Sequence, residues 1–366
     1  MRSVGVEEEL LLVDPRTGEP RALSEEVLAI AAKHNQGRAH AFTKELQLQQ
    51  LEFGTHPRTA MGELAAEIER CRSDAARIAA EAGVAVVALA TSPLPVGPAV
   101  TEGKRYRWIR EHYGLTALEQ LTCGCHVHVS IASDEEGVAV LDRIRPWLSV
   151  LLALSANSPF WYGHDSGYHS YRSRVWGRWP STGPVELFGS ADRYHRQVRD
   201  LVSTGVLQDE GMIYFDARLS RHYPTVEIRA ADVCLDASTT VLVATLARAL
   251  VDTAARQWRE GRPPDEHGIG LLRAAAWRAA RSGVDGELIH PHTMRPAPAD
   301  RVVQALFHHV EEALDGNGDL AYARKALDDL MSGGNGAHVQ RRLLRRRGSL
   351  GAVVAECVRR TQEGVR

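Results

Sequence analysis

The chain has 366 residues, enough for one large domain or two ordinary ones with an ample core. Its 44% hydrophobic and 25% charged residues are those of a globular protein, and a formal charge of −2 argues against wholesale nucleic-acid binding. Five scattered cysteines, an odd number, do not make a disulfide framework.

The first strand is expected from about Ser3 to Val13, closed by the turn Asp14-Pro15-Arg16-Thr17-Gly18. Its acidic triplet at Glu7 does not fit a signal peptide, and no uncharged apolar stretch reaches the roughly 18 residues of a membrane span. The expected location is the cytoplasm. A helix is expected behind Ser24, with the serine hydroxyl as its cap. A second strand follows from Leu46 to Phe53 and stops at Gly54-Thr55-His56-Pro57. Leu64, Ile68, Cys71 and Ala75 recur at helical spacing, predicting a long helix from Met61 to Ala82. Val84 to Leu89 reads as a buried strand before the loop Ser92 to Gly97.

Gly124 to Ile131 alternates His126 and His128 with Val127 and Val129, and predicts a strand followed by a long apolar helix to Ala156. Ser158 to Leu187 is crowded with Trp, Tyr, Arg, Gly and Pro without a period, the mark of a functional loop. Met212 to Arg218 and Pro224 to Arg229 form a further strand pair. Beyond Asp236 nearly everything is helical, with breaks at Gly261 to Pro264, His290 to Pro298, Asp315 to Asp319 and Ser332 to Ala337. The expected fold is α+β: an antiparallel sheet with a polar concave face, helices on its other face and a helical C-terminal third. We read 1–366 as a single domain, with about 290–366 as its helical extension.

Chemistry concentrates on the strands. A strand places residues i and i+2 side by side, so Glu7 and Glu9 share a face, as do His126 and His128, and Glu227 and Arg229. Like charges that close call for a compensating cation. Glu45 and Glu52 add two acids. Seven residues apart, they would face opposite sides of a regular strand unless Glu45 precedes the strand or a bulge intervenes. Together Glu7, Glu9, Glu45, Glu52, His126 and Glu227 form an oxygen-rich set with one imidazole, suited to two or three Mg²⁺ or Mn²⁺ ions and a polyphosphate ligand. Cys123 and Cys125 fall on the opposite face from the histidines and read as core residues, not zinc ligands. No Gly-x-x-x-x-Gly-Lys-Ser/Thr loop is present, so a nucleotide would bind through metals and arginines.

The ordered set Gly5-Val6-Glu7-Glu8-Glu9, Leu51-Glu52-Phe53-Gly54-Thr55, Gly124-Cys125-His126 and Glu227-Ile228-Arg229 resembles the glutamate–cysteine ligases of the glutamine synthetase-like group. With Trp277-Arg278-Ala279-Ala280-Arg281-Ser282-Gly283-Val284-Asp285, it looks most like the YbdK-type carboxylate–amine ligases, or type-2 glutamate–cysteine ligases. The resemblance spans Gly5 to Asp285. It implies an ATP-dependent ligase that joins an amino-acid carboxylate to an amine through an acyl phosphate, with glutamate and cysteine as the leading pair. The five acids and one histidine fall on its metal positions, Glu45 where relatives carry Asp, and Arg229 falls near the transferred phosphoryl group. Tyr168 and Arg172 look like its substrate-side segment, Arg172 being the candidate grip on a substrate carboxylate.

Arg278 and Arg281, three apart on a helix face, are candidate phosphate contacts, with a solvated basic face as the alternative. The arginines of Arg341 to Arg347 read as an exposed helix face. Expected partners are ATP and small amino acids, not nucleic acid or membrane, and a homo-oligomer is left open. Two rivals remain at this point: a metal-dependent amidohydrolase built on His126-x-His128, and a non-catalytic nucleotide or metabolite binder on the same fold.

Overall fold

Alternation decides the first strand. In β1, Val4–Val13, Glu7 and Glu9 take one face, while Val4, Val6, Leu10 and Leu12 are buried on the other. The computed structural model describes residues 1–34 and 42–363. After β1 come β2 (Phe42–Lys44), β3 (Gln50–Gly54), β4 (Ala85–Val87) and β5 (Gly124–Ser130). The small hairpin of β6 (Phe160–Trp161) and β7 (His164–Asp165) stands apart, and β8 (Ala217–Leu219) and β9 (Thr225–Asp232) complete the main sheet. The order is β2-β3-β1-β5-β9-β8, with β4 paired to the far end of β1, and every pairing is antiparallel. The expected α+β class holds.

Helices Met61–Glu81, Leu148–Ser155 and Ala237–Arg259 cover the back of this sheet. Their buried Ile68, Leu151 and Leu246 join Val6, Val127 and Ile228 in one core. The last described helix, Leu350–Gln362, turns Val353, Val354 and Cys357 into a second core with Leu10, Leu12 and Val86. The C-terminal helices are broken at the four expected places and also at Gly348 and Ser349, which the sequence reading left inside a helix, and Glu287–Ile289 and Pro296–Pro298 form a hairpin around His290 to Arg295. Among the described residues no helix is long and apolar enough to cross a membrane.

The middle residue of the acidic triplet faces this back. Glu8 is fully buried and receives two hydrogen bonds of 2.8 Å from Arg72, while the Thr240 hydroxyl donates a third at 2.6 Å. Arg72 spends its remaining donors on the carbonyls of Cys234 and Leu235. A buried charge survives only when paired and hydrogen-bonded in this way. The pair ties β1 to two helices.

Four expectations need correction. The strand from Leu46 to Phe53 begins only at Gln50, because the chain turns between Glu45 and Gln49 and β2 pairs back onto β3. Ser24 is the first residue of its helix, and its buried hydroxyl makes no capping bond. The helix expected to run to Ala156 is split at Arg145–Trp147, where Pro146 cannot donate the bond a continuous helix needs. Met212 to Arg218 is strand only from Ala217, preceded by a single tight turn at Glu210–Met212. Helices Lys104–Tyr113 and Ala191–Ser203 lie in stretches that the pattern left unassigned.

Candidate active site

Register brings the separated acids together. Glu9 stands opposite Glu52 across β1 and β3, and Glu7 stands opposite His126 across β1 and β5. His128 pairs with Glu227 across β5 and β9, and Glu227 pairs with Arg218 across β9 and β8. Five neighbouring strands therefore contribute to one polar front. Between β5 and β9 a bulge sets Arg229 and Ala230 together against His126. Glu45, just past β2, swings in beside Glu52 because the chain turns there, so the first of its two sequence options is the one realised. A cleft of about 900 Å³ is walled by Glu7, Glu9, Glu45, Glu52, His126 and Arg229.

The five acids and one histidine fall into two groups whose ligand atoms lie within 4.8 Å of one another: Glu7 with His126 and Glu227, and Glu9 with Glu45 and Glu52. Burial alone would raise the pKa of Glu7, but His126 and His128, at 3.4 and 3.3 Å, hold it well below the usual carboxylate range. Glu227 is also held low, against its burial, by Arg229 and by a two-pronged bond from Arg218 at 2.7 and 3.1 Å.

The other group behaves in the opposite way. Burial raises Glu9, offset in part by Arg172 and by the Gly124 N–H at 2.6 Å. Burial and the charge of Glu9 raise Glu45, and burial and the charge of Glu45 push Glu52 up strongly. His126 is lowered to about 4 by burial and by Arg229, and its Nε2 is buried without a hydrogen-bond partner. Mutually repelling carboxylates beside an orphaned neutral imidazole are the donor set of a hard divalent cation, and the residues fit one. Each group contains at most one imidazole, and His128 belongs to neither, which removes the main support of the amidohydrolase reading among the described residues.

Arg229 donates to Glu227 and lies 5.9 Å over the rings of both Trp176 and Tyr214. Trp176 and Arg229 also border a second cavity of about 850 Å³, lined by Arg172, Arg174, Asp216 and Arg273. Arg172 is buried at 2% exposure, 3.8 Å from Asp232, with its guanidinium against Gly124, where an added Cβ would strike it. Asp232 in turn accepts from the hydroxyls of Ser158 and Ser170 at 2.7 and 2.9 Å, fixing the loop that carries Arg172.

The remaining candidates lie elsewhere. Arg281 donates to the Gly167 carbonyl and rests 5.6 Å over Tyr168, whose ring packs edge-on to Trp277. Tyr168, Arg278 and Arg281 line neither the acidic cleft nor the second cavity. Helical spacing gave the shared face of the two arginines but not its direction, and on that helix it is Arg273 that reaches a cavity. Sequence reasoning also missed Arg218, Arg174, Trp176, Tyr214 and Asp216. The alternation in Ala217-Arg218-Leu219 signals Arg218; the others sit in aperiodic chain that gives no such signal.

The model of the glutamate–cysteine ligase family 2 matches residues 3–356. A Streptomyces avermitilis protein provisionally named glutamate–cysteine ligase 2-1 is 65% identical over 362 residues, covering 99% of this chain and 100% of its own. A Streptomyces coelicolor protein provisionally named glutamate–cysteine ligase 2 is 64% identical, covering 99% of each. Among solved structures, the Francisella tularensis glutamate–cysteine ligase in complex with AMP matches with a TM-score of 0.71 at 13% identity, over 99% of this chain and 88% of that one. The ligase PafA, in complex with the prokaryotic ubiquitin-like protein Pup, matches at 0.57 and 14% identity, over 97% and 71%. The last two likenesses bear on the fold alone. Sequence, strand register and family model agree: the chain belongs to glutamate–cysteine ligase family 2, a family of carboxylate–amine ligases.

Proposed function

We propose that this chain is an ATP-dependent ligase that joins the γ-carboxyl of glutamate to the amine of cysteine through an acyl phosphate. The observation that carries this reading is the register that lines up Glu52, Glu9, Glu7, His126 and Glu227 across four adjacent strands, with Arg229 at the edge of the array. A wall of carboxylates repels a triphosphate; Mg²⁺ held by Glu7, His126 and Glu227, and by Glu9, Glu45 and Glu52, would screen that repulsion and neutralise charge on the phosphoryl group.

In the first step a carboxylate oxygen attacks the γ-phosphorus and the bond to ADP breaks. In the second the amine nitrogen attacks the acyl carbon, loses its proton and releases inorganic phosphate. Arg229 lies beside the acidic array with its Nε unpartnered, and its fixed guanidinium would meet charge as it develops on the moving phosphoryl oxygens. Trp176 and Tyr214 hold that guanidinium in place, which limits its reorganisation. Arg172 supplies a second cation for a substrate carboxylate.

The test is phosphate release by the pure protein with ATP, Mg²⁺ and a matrix of amino-acid donors and acceptors. Release that requires both a carboxylate donor and an amine, strongest with glutamate and cysteine, is expected. Product formed without ATP, or no ATP-dependent release anywhere in the matrix, overturns the proposal.

A further inference from the structure

The segment Trp277 to Asp285 and the side chain of Arg341 border neither cavity, yet both converge on one short stretch of chain. That stretch, Asp165 to Ser170, runs directly ahead of Arg172. At the end of the helix Ile269–Ser282, the Ala280 carbonyl accepts the N–H of His169 at 2.8 Å and that of Ser170 at 2.9 Å. Arg281 donates to the Gly167 carbonyl. From the helix Gly336–Arg347, Arg341 forks onto Asp165 at 2.9 and 2.6 Å and donates to the Tyr168 carbonyl at 2.9 Å. Expected on an exposed helix face, Arg341 is instead turned inward, its side chain only 18% exposed.

His169 is buried between the ends of these two helices. Its Nδ1 lies 3.4 Å from Asn335 Oδ1 and its Nε2 lies 3.6 Å from Asp285. Gly283 has a φ of 53°, and a Cβ there would stand 2.5 Å from His169 Nδ1, so glycine allows both the turn and the close approach. Ser170 is held from the opposite side. Its hydroxyl donates at 2.9 Å to Asp232, the last residue of the strand that carries Glu227 and Arg229. Adjacent residues are thus tied to the C-terminal helices on one side and to the main sheet on the other.

The bonds that tether an irregular segment decide where its side chains stand. We infer that Arg341 is a positioning residue: with Ala280, Arg281 and Gly283 it clamps residues 165–170, so that Arg172 and Trp176 are presented in place. Glu7, Glu9, Glu52, His126 and Glu227 hang on the strands and not on this loop, so loss of the clamp weakens the carboxylate donor and spares ATP and Mg²⁺. This inference rests on the ligase reading and deepens it.

The test is Arg341→Gln, beside Arg341→Lys, Asp165→Asn and the double variant Asp165→Asn/Arg341→Gln. Each is measured in phosphate release with ATP, Mg²⁺ and the best amino-acid pair, and in hydrogen exchange read by peptide mass spectrometry. Arg341→Gln should raise KM for the carboxylate donor about tenfold and leave KM for ATP within about twofold. Exchange should quicken within residues 158–176 while the main sheet keeps its protection. Arg341→Lys keeps the charge but loses the fork, and should fall between. Asp165→Asn should raise the donor KM about threefold, and the double variant no further than Arg341→Gln, because both act through one contact. An unchanged donor KM in Arg341→Gln, a KM for ATP that rises in step with it, or additive losses in the double variant overturns the positioning role and leaves the ligase reading standing. If the wild type releases no phosphate with any pair, the ligase reading fails and exchange decides the clamp alone: unchanged rates at residues 158–176 in Arg341→Gln overturn it.

Discussion

Glu9 and Glu52 are direct cross-strand partners, so two carboxylates face each other where β-sheets ordinarily place opposite charges. With Glu45 beside them, the metal-free protein carries stored repulsion. Adding Mg²⁺ should raise the melting temperature by several degrees, and chelator should abolish both this gain and turnover. Glu52→Gln should do the reverse in the metal-free state. It should stabilise by up to about 1 kcal/mol, or ~2 °C, and lose the response to Mg²⁺. Melts with Mg²⁺ and with EDTA check this; an unchanged Mg²⁺ response in Glu52→Gln would count against its role as a ligand.

Glu7 and Glu8 are neighbours in sequence with opposite duties. Glu8 neutralises Arg72 inside the protein, so Glu8→Ala strands a buried guanidinium and should cost about 3–5 kcal/mol in urea unfolding. Glu7→Gln faces the cleft, should unfold near the wild-type midpoint, and should lose about 10²-fold or more in turnover. Matching stability losses in the two variants would contradict the assignment of faces.

Arg229 and Arg218 both hold Glu227, yet only Arg229 borders both cavities. Arg229→Lys keeps the charge and loses the planar fork, so turnover should fall about 10²-fold or more while ATP binding persists. Arg218→Lys should change turnover less than tenfold. Single-turnover phosphate release beside equilibrium ATP binding separates the two effects. Near-normal turnover in Arg229→Lys would make the pair an ordinary ion bridge.

The thiols should be silent. All five cysteines are buried, and burial raises the pKa of Cys123 and Cys125 well above the usual thiol value. Cys125→Ala should cost about 1–2 kcal/mol through lost packing and leave kcat within threefold. The native protein should resist a thiol reagent until denaturant is added. A loss of several orders of magnitude in a folded Cys125→Ala protein would show that the phasing of β5 is wrong.

What could be read in advance was what repeats. Period-two alternation in Glu7–Glu9, His126–His128 and Glu227–Arg229 placed those side chains on one face, because a strand has only two sides. The C-terminal helices were legible for the same reason. The pairing of Glu45 with Glu52 was open in the sequence because it depends on a turn at residues 45–49, which leaves no periodic trace. Arg174, Trp176 and Asp216 come from irregular chain whose course is set by tertiary bonds such as those of Ser158 and Ser170 to Asp232. Arg278 and Arg281 show the converse limit. A shared helix face is a local fact, and which neighbour it meets is not.

The bulge in β9 makes the front sensitive to length in a way that it is not to chemistry. Two residues, Arg229 and Ala230, occupy the space of one opposite His126, and beyond them the pairing runs one step out of phase. Exchanging a side chain here alters one contact. Deleting a single residue at this point would straighten the strand and swap inward for outward positions along one end of it, either carrying Arg229 away from the cleft or turning Asp232 from the loop it anchors. Descendants of this chain can therefore drift in composition along β9, but an insertion or deletion there would dismantle the front in one event.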